Sequence, residues 1–141
     1  HQVDNWQTRI LASETGVALT FQDKKRLDES DLANAKAHLA RFFAVVGLTE
    51  HFDLSLFLMR RKLGWPPVGY SMENVTANRP GRREVPAETR GGIAARNRYD
   101  MDLYRFARRL FWKQLLAPSG LPAILGYGLR AGMDRCFSKK G

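Results

Sequence analysis

One stretch constrains this chain more than any other: Arg41 to Trp65, RFFAVVGLTEHFDLSLFLMRRKLGW. Phe42, Phe43, Ala44, Val45, Val46 and Leu48 form a short apolar run rich in β-branched and aromatic residues, which predicts a strand over 42–48 buried on both faces. Behind it, Thr49 is placed to cap a helix over 50–63. Glu50 and Asp53 fall in its first turn, Arg60, Arg61 and Lys62 in its last, and Gly64 follows as the stop, so each charge suits the helix dipole. Phe52, Leu56, Phe57, Met59 and Leu63, with Leu54 and Leu58 on other sides, make this helix apolar nearly all round, as in a helix covered by protein. A doubly buried strand needs neighbours on both sides, and this is the only convincing strand in the sequence. Its partners are therefore expected from another chain or another part of the protein.

The flanking segments are helical. In DESDLANAKAHLARF, Asp28 or Ser30 is the cap, and Leu32, Ala35, Leu39 and Ala40 form an apolar stripe that predicts a packing helix over 31–41. The order helix, strand, helix is that of an α/β layer. Trp65-Pro66-Pro67 ends the third element. Residues 73–85 read as an irregular loop, 87–96 as a weak helix interrupted by Gly91-Gly92, and Asn97 to Asp100 as a break or cap before a strong helix over 100–116. In that last helix, Leu103, Ala107, Leu110 and Gln114 form one row and Tyr104, Phe111 and Leu115 the next. Residues 118–141 have the glycine-rich, weakly patterned character of a tail, which leaves 1–117 as one domain. Residues 1–27 lack sustained periodicity and read as an irregular connection. Within them DNWQTRIL sets Asn5, Gln7, Thr8 and Arg9 beside Trp6, Ile10 and Leu11, a composition suited either to a groove wall or to an anchored surface segment.

Composition narrows the chemistry. With 141 residues, 44% hydrophobic and 26% charged, the chain suffices for one domain with a modest core, and no apolar run is long enough to span a bilayer. It opens on His1 with no basic, apolar leader, so no signal peptide is expected, and His1 need not be the natural start. The single cysteine, Cys136, excludes an internal disulfide. His38 and His51 flank the predicted strand without a carboxylate or cysteine at ligand spacing from both; they are expected to be surface or capping histidines, and no metal site is expected. Residues 1–58 carry 6 Lys/Arg against 8 Asp/Glu and residues 59–141 carry 17 against 6, giving −2 and +11. The basic half calls for an anion: nucleic acid, an acidic membrane surface, an acidic glycan or a polyphosphorylated nucleotide. Asn74, Thr76, Asn78 and Arg79, followed by Arg82 and Arg83, make the densest set of donors, of a kind that suits phosphate oxygens and purine edges, with a solvated basic loop as the alternative. No GxxxxGK[ST] or GxGxxG cradle is present.

Three stretches in this order, DNWQTRIL, then AKAHLARFFAVVGLTEHFDLSLFLMRRKLGW, then NVTANRP with ARNRYDMDLYRFARRLFW, resemble the C-terminal half of type 2 superfamily sulfotransferases. This group contains the heparan sulfate 2-O-sulfotransferases and galactose 3-O-sulfotransferases. VGLTEHFDLSLFLMRRKLGW is the most specific match and NRYDMDLYRFA the second, and together the stretches cover roughly residues 4–112. The resemblance implies an α/β domain with a parallel sheet related to nucleotide kinases, of which this chain is the mostly helical C-terminal portion. It implies sulfuryl transfer from 3′-phosphoadenosine 5′-phosphosulfate (PAPS) to a carbohydrate hydroxyl. In that scheme 42–48 is one of the later strands, and its neighbours are N-terminal strands.

By position, Asn74, Thr76, Asn78 and Arg79 fall where relatives close a segment over the adenosine 3′-phosphate, and Gln7 and Arg9 resemble residues bordering the acceptor cleft. The family's N-terminal phosphosulfate loop, its Arg and Ser pair for the 3′-phosphate and its catalytic base have no counterpart in this sequence. No catalytic residue is therefore assigned, and the chain alone is expected to be inactive. The compartment follows the source: cytoplasmic for a bacterial protein, the Golgi lumen for an animal-type enzyme whose N-terminal anchor is missing. Two other readings are a small basic helical module binding nucleic acid through residues 79–113, which leaves the apolar run at 42–48 unexplained, and a non-catalytic interaction domain on the same scaffold.

Overall fold

The computed structural model describes residues 4–13, 26–66, 70, 81 and 84–117. Five helices account for most of them: α1 (Trp6–Ala12), α2 (Glu29–Phe42), α3 (Phe52–Leu63), α4 (Ala87–Arg96) and α5 (Arg98–Leu115), with a single 3-10 turn at Thr49–His51 leading into α3. The described part is thus mostly helical, as expected, and contains no strand.

The local rules are visible at each boundary. Asp28 caps α2 by accepting from the backbone of Ser30 (2.8 Å) and Asp31 (3.1 Å), while Asp31 accepts in return from the Asp28 N–H (3.0 Å), a capping box that closes the helix start. Gly64 ends α3 in the left-handed region at φ 70°, where a side chain would be strained, and its N–H bonds the Arg60 carbonyl. Gly91 and Gly92 do not interrupt α4. Both are exposed, and a Cβ at either would meet open space, so their cost is entropic and the helix continues through them.

The strand expected over 42–48 is corrected. Phe42 is the last residue of α2, and 43–48 are neither helix nor strand: the backbone is extended at Phe43 and Leu48 and bends at Ala44. A ladder needs a second strand, and side chains supply the backbone bonds instead. The Val46 N–H donates to Gln114 Oε1 (3.1 Å) and the Leu48 N–H to Ser55 Oγ (2.8 Å). Ser55 Oγ in turn lies 3.0 Å from the Leu48 carbonyl and 2.9 Å from that of His51, either of which it can donate to. Nor is the segment buried on both faces. Val46 and Leu48 are buried, whereas Phe42, Phe43, Ala44 and Gly47 are exposed. The period of two is present, with only one side covered.

The chain divides into two compact units, His1–Phe43 with Val68–Ala107, and Ala44–Pro67 with Arg108–Gly141. In the first, α1 packs against α2, and Ala12, Leu27, Leu32, Ala35, Leu39, Tyr99 and Leu103 are buried. In the second, Val46, Leu48, Ser55, Phe57, Leu58, Phe111 and Leu115 are buried, and Arg61 Nη2 donates to the Gln114 carbonyl (2.6 Å), satisfying an end group of α5. Gly47 lies close to Ser55: a Cβ there would sit 3.2 Å from the Ser55 Cβ.

Ser55 is the polar clamp of the second unit, itself only 4% exposed. Ser55→Ala strips the buried Leu48 N–H of its acceptor and is expected to cost about 1–3 kcal/mol in urea unfolding. Ser30→Ala, on an exposed hydroxyl, is expected to stay within about 0.5 kcal/mol. Equal effects of the two would remove Ser55 from this role.

Candidate functional site

Every helix starts with backbone N–H groups that have no partner within the helix. In the first unit two such starts, α1 and α5, satisfy each other. The Asn5 side chain makes no cap bond to its own helix, α1. Its Oδ1 accepts instead from the N–H groups of Tyr99 (2.8 Å) and Asp100 (3.2 Å) in the first turn of α5, and its Nδ2 donates to the Arg96 carbonyl (2.8 Å). In return, Asp100 Oδ2 accepts from the Gln7 N–H (3.1 Å), and Oδ1 accepts from the Thr8 N–H (2.8 Å) and the Thr8 hydroxyl (2.7 Å). Asn97 Oδ1 closes the ring by accepting the Asn5 N–H (2.9 Å). The carboxylate thus lies at the positive end of α1 while also sitting in the first turn of α5, a favourable place in both dipoles.

Asn5 has φ 48° and ψ 44°, the one left-handed non-glycine residue among those described, a region that asparagine tolerates better than most residues. It is 4% exposed and Thr8 is fully buried, so these two face the interior while Gln7 is exposed. The other end of α1 is held by His38, whose Nδ1 lies 2.7 Å from the Leu11 carbonyl. A carbonyl can only accept, so Nδ1 carries the proton, and His38 is a capping histidine. A seven-residue helix is too short to be stable by itself. The partners at both of its ends explain why 6–12 is helical where the sequence reads as an irregular connection.

Arg98 donates to the Tyr99 hydroxyl, stands 4.4 Å over that ring and reaches Glu29 at 3.8 Å. The bond to Tyr99 is the chief reason its pKa is raised from the ordinary arginine value. In the second unit His51 lies against two rings, stacked on Phe111 (centroids 5.8 Å, 7°) and edge-on to Trp112 (5.2 Å, 67°).

Among the residues expected to border an acceptor, Gln7 and Arg9 both lie on α1 but two positions apart, so they face differently. Gln7 is exposed. Arg9 folds back on Asp4, its Nε donating to the Asp4 carbonyl (3.1 Å) and Nη2 pairing with Oδ1 (3.2 Å). Asn74, Thr76, Asn78 and Arg79, the expected cofactor contacts, lie outside the described residues. What sequence reasoning passed over is the pairing of Asn5 with Asp100. Both motifs were visible, DNWQT and NRYD, each opening with an asparagine-bearing turn, but nothing local says that the cap of one helix belongs to the other. Among the described residues, no cluster of His, Cys, Asp or Glu could hold a metal ion, and no helix is long and apolar enough to cross a membrane.

Comparison with known proteins places most of the chain. Residues 14–121 match the family model described as galactose-3-O-sulfotransferase. Bovine galactose-3-O-sulfotransferase 3 is 32% identical over 92 residues, 64% of this chain and 22% of the relative. Human galactose-3-O-sulfotransferase 2 is 30% identical over 112 residues, 75% of this chain and 27% of the relative. The chain therefore spans about a quarter of the length of the curated relatives it matches. No solved structure matches it.

Proposed function

The chain belongs to the galactose-3-O-sulfotransferase family, and we propose that it forms part of an enzyme that moves a sulfuryl group from PAPS to a hydroxyl of a galactose-bearing carbohydrate. The observation that supports this most is the match over residues 14–121, whose bounds take in the α2 to α3 segment and the whole of α5. In this reading the parallel sheet of the sulfotransferase fold is formed by segments other than those described.

The chemistry of the donor set fits the cofactor. Asn74, Thr76, Asn78 and Arg79 would hold the adenosine 3′-phosphate, since a phosphate dianion favours a guanidinium fork with short neutral donors beside it. PAPS, when bound, supplies the activated sulfuryl group. Gln7, with an exposed carboxamide that both donates and accepts, is suited to sugar hydroxyls. Arg9, engaged with Asp4, borders the acceptor by shaping the start of α1. The +11 balance of residues 59–141 then serves an anionic donor.

The test is a chimera: residues 14–121 replace the matching segment of the bovine relative, and transfer of labelled sulfate from PAPS to a β-galactoside is measured. Retained transfer supports the reading, and a folded chimera without transfer overturns it. The 141-residue chain assayed alone is expected to give no transfer, because the groups that activate the acceptor and grip the phosphosulfate are assigned to none of its residues. Measurable turnover by the chain alone would reverse that expectation.

A further inference from the structure

We infer that Asn5 and Asp100 are a pair of positioning residues, exchanged N-caps that join the starts of α1 and α5 and thereby present Gln7 to the acceptor. The role of Gln7 rests on the function proposed above; the exchange of caps does not. The geometry carries it. Gln7 and Thr8 occupy the second and third positions of α1, and Tyr99 and Asp100 the same positions of α5. None of these four N–H groups can find a partner inside its own helix. Each has one across the ring, Asp100 for the first two and Asn5 for the second two, some ninety residues away in sequence.

The bonds are directional in a way that excludes simple swaps. Asn5 must accept at Oδ1 and donate at Nδ2 to the Arg96 carbonyl at once, which a carboxylate cannot do. Asp100 must accept at both oxygens, which an amide cannot do. The left-handed backbone at Asn5 turns the chain so that its side chain serves the other helix while its carbonyl still receives the Arg9 N–H (3.0 Å). The same carboxylate bond that fixes the Gln7 backbone leaves the Gln7 side chain exposed. A residue offered to a sugar needs a fixed backbone, since a freely moving carboxamide loses its contribution to ordering entropy.

Amide hydrogen exchange of the whole 141-residue chain tests the caps. Asp100→Ala is expected to speed exchange at Gln7 and Thr8 by about tenfold or more, and Asn5→Ala to do so at Tyr99 and Asp100, with Leu58 in the second unit unchanged. Asp100→Asn keeps one oxygen and is the gentler variant: Gln7 should lose protection while Thr8, with its two bonds to the other atom, keeps it. Protection at Gln7 and Thr8 that survives Asp100→Asn and Asp100→Ala alike overturns the exchange of caps.

Titration with methyl β-galactoside then reads the positioning role. The Gln7 side-chain amide should shift in the wild type, and its response should be lost in Asp100→Ala and partly restored in Asp100→Asn. If the exchange pattern appears but Gln7 never responds, the acceptor reading of Gln7 and the positioning role fall together while the caps stand.

Discussion

Phe111→Ala is expected to destabilise the chain by about 3–5 kcal/mol, the upper range for truncation of a buried side chain. Phe111 has no exposed surface, and its ring is stacked on His51 and meets Trp112 edge-on at 5.1 Å. Truncation removes the apolar transfer energy and leaves a cavity beside His51 and Trp112. Folded domains are stable by only about 5–15 kcal/mol, so a loss of this size removes much or all of the margin. Phe111→Leu keeps most of the volume and is expected to cost about half as much. Phe43→Ala provides the contrast, because the same atoms are removed from a ring that is 45% exposed, and the cost is expected to stay below about 1 kcal/mol. Urea unfolding of the three variants decides between them. Similar midpoints for Phe111→Ala and Phe43→Ala would mean that Phe111 is not the centre of the second unit.

The helices were legible in the sequence because their causes are local. Asp28 and Asp31 lie three residues apart, Gly64 follows a basic last turn, and Leu32, Ala35 and Leu39 repeat at helical spacing, so cap, stop and stripe could be read without any tertiary knowledge. Residues 42–48 failed for the opposite reason. Their composition favours a strand, but a strand exists only with a partner, and here Gln114 and Ser55 take up the backbone bonds that a neighbour would otherwise receive. α1 failed likewise, in reverse: seven residues with no periodicity become helical because Asp100 and His38 hold the two ends. The family resemblance was carried by motif residues such as FD and NRYD, and it could be seen without knowing which of them bind ligand and which bind one another. Asp100 is a case in point, a motif residue whose contacts are all to backbone and hydroxyl groups of α1.

If the proposed function holds, Arg79→Ala in the complete enzyme is expected to weaken binding of adenosine 3′,5′-bisphosphate, the desulfated form of the proposed donor, by about tenfold to a hundredfold, with a much smaller effect on a galactoside. A charge-assisted bond from a guanidinium to a phosphate is worth about 1.5–3 kcal/mol, and both its charge and its two parallel donors are lost with the side chain. Arg79→Lys should recover only part of this, since an ammonium supplies the charge without the planar fork. The neighbouring Asn74, Thr76 and Asn78 offer neutral donors, each worth about 0.5–1.5 kcal/mol, so their single alanine variants should each fall below the arginine. If Arg79 instead lies on a solvated basic loop, both of its variants will bind the bisphosphate within about 0.5 kcal/mol of the wild type. Calorimetric titration of the three proteins at two salt concentrations separates the cases further: a direct phosphate contact keeps its Ala-to-Lys difference as salt rises, whereas a diffuse contribution from the +11 half fades for every variant alike. Equal affinities at low salt would return Arg79 to the surface and leave Asn74, Thr76 and Asn78 as the proposed contacts to the 3′-phosphate.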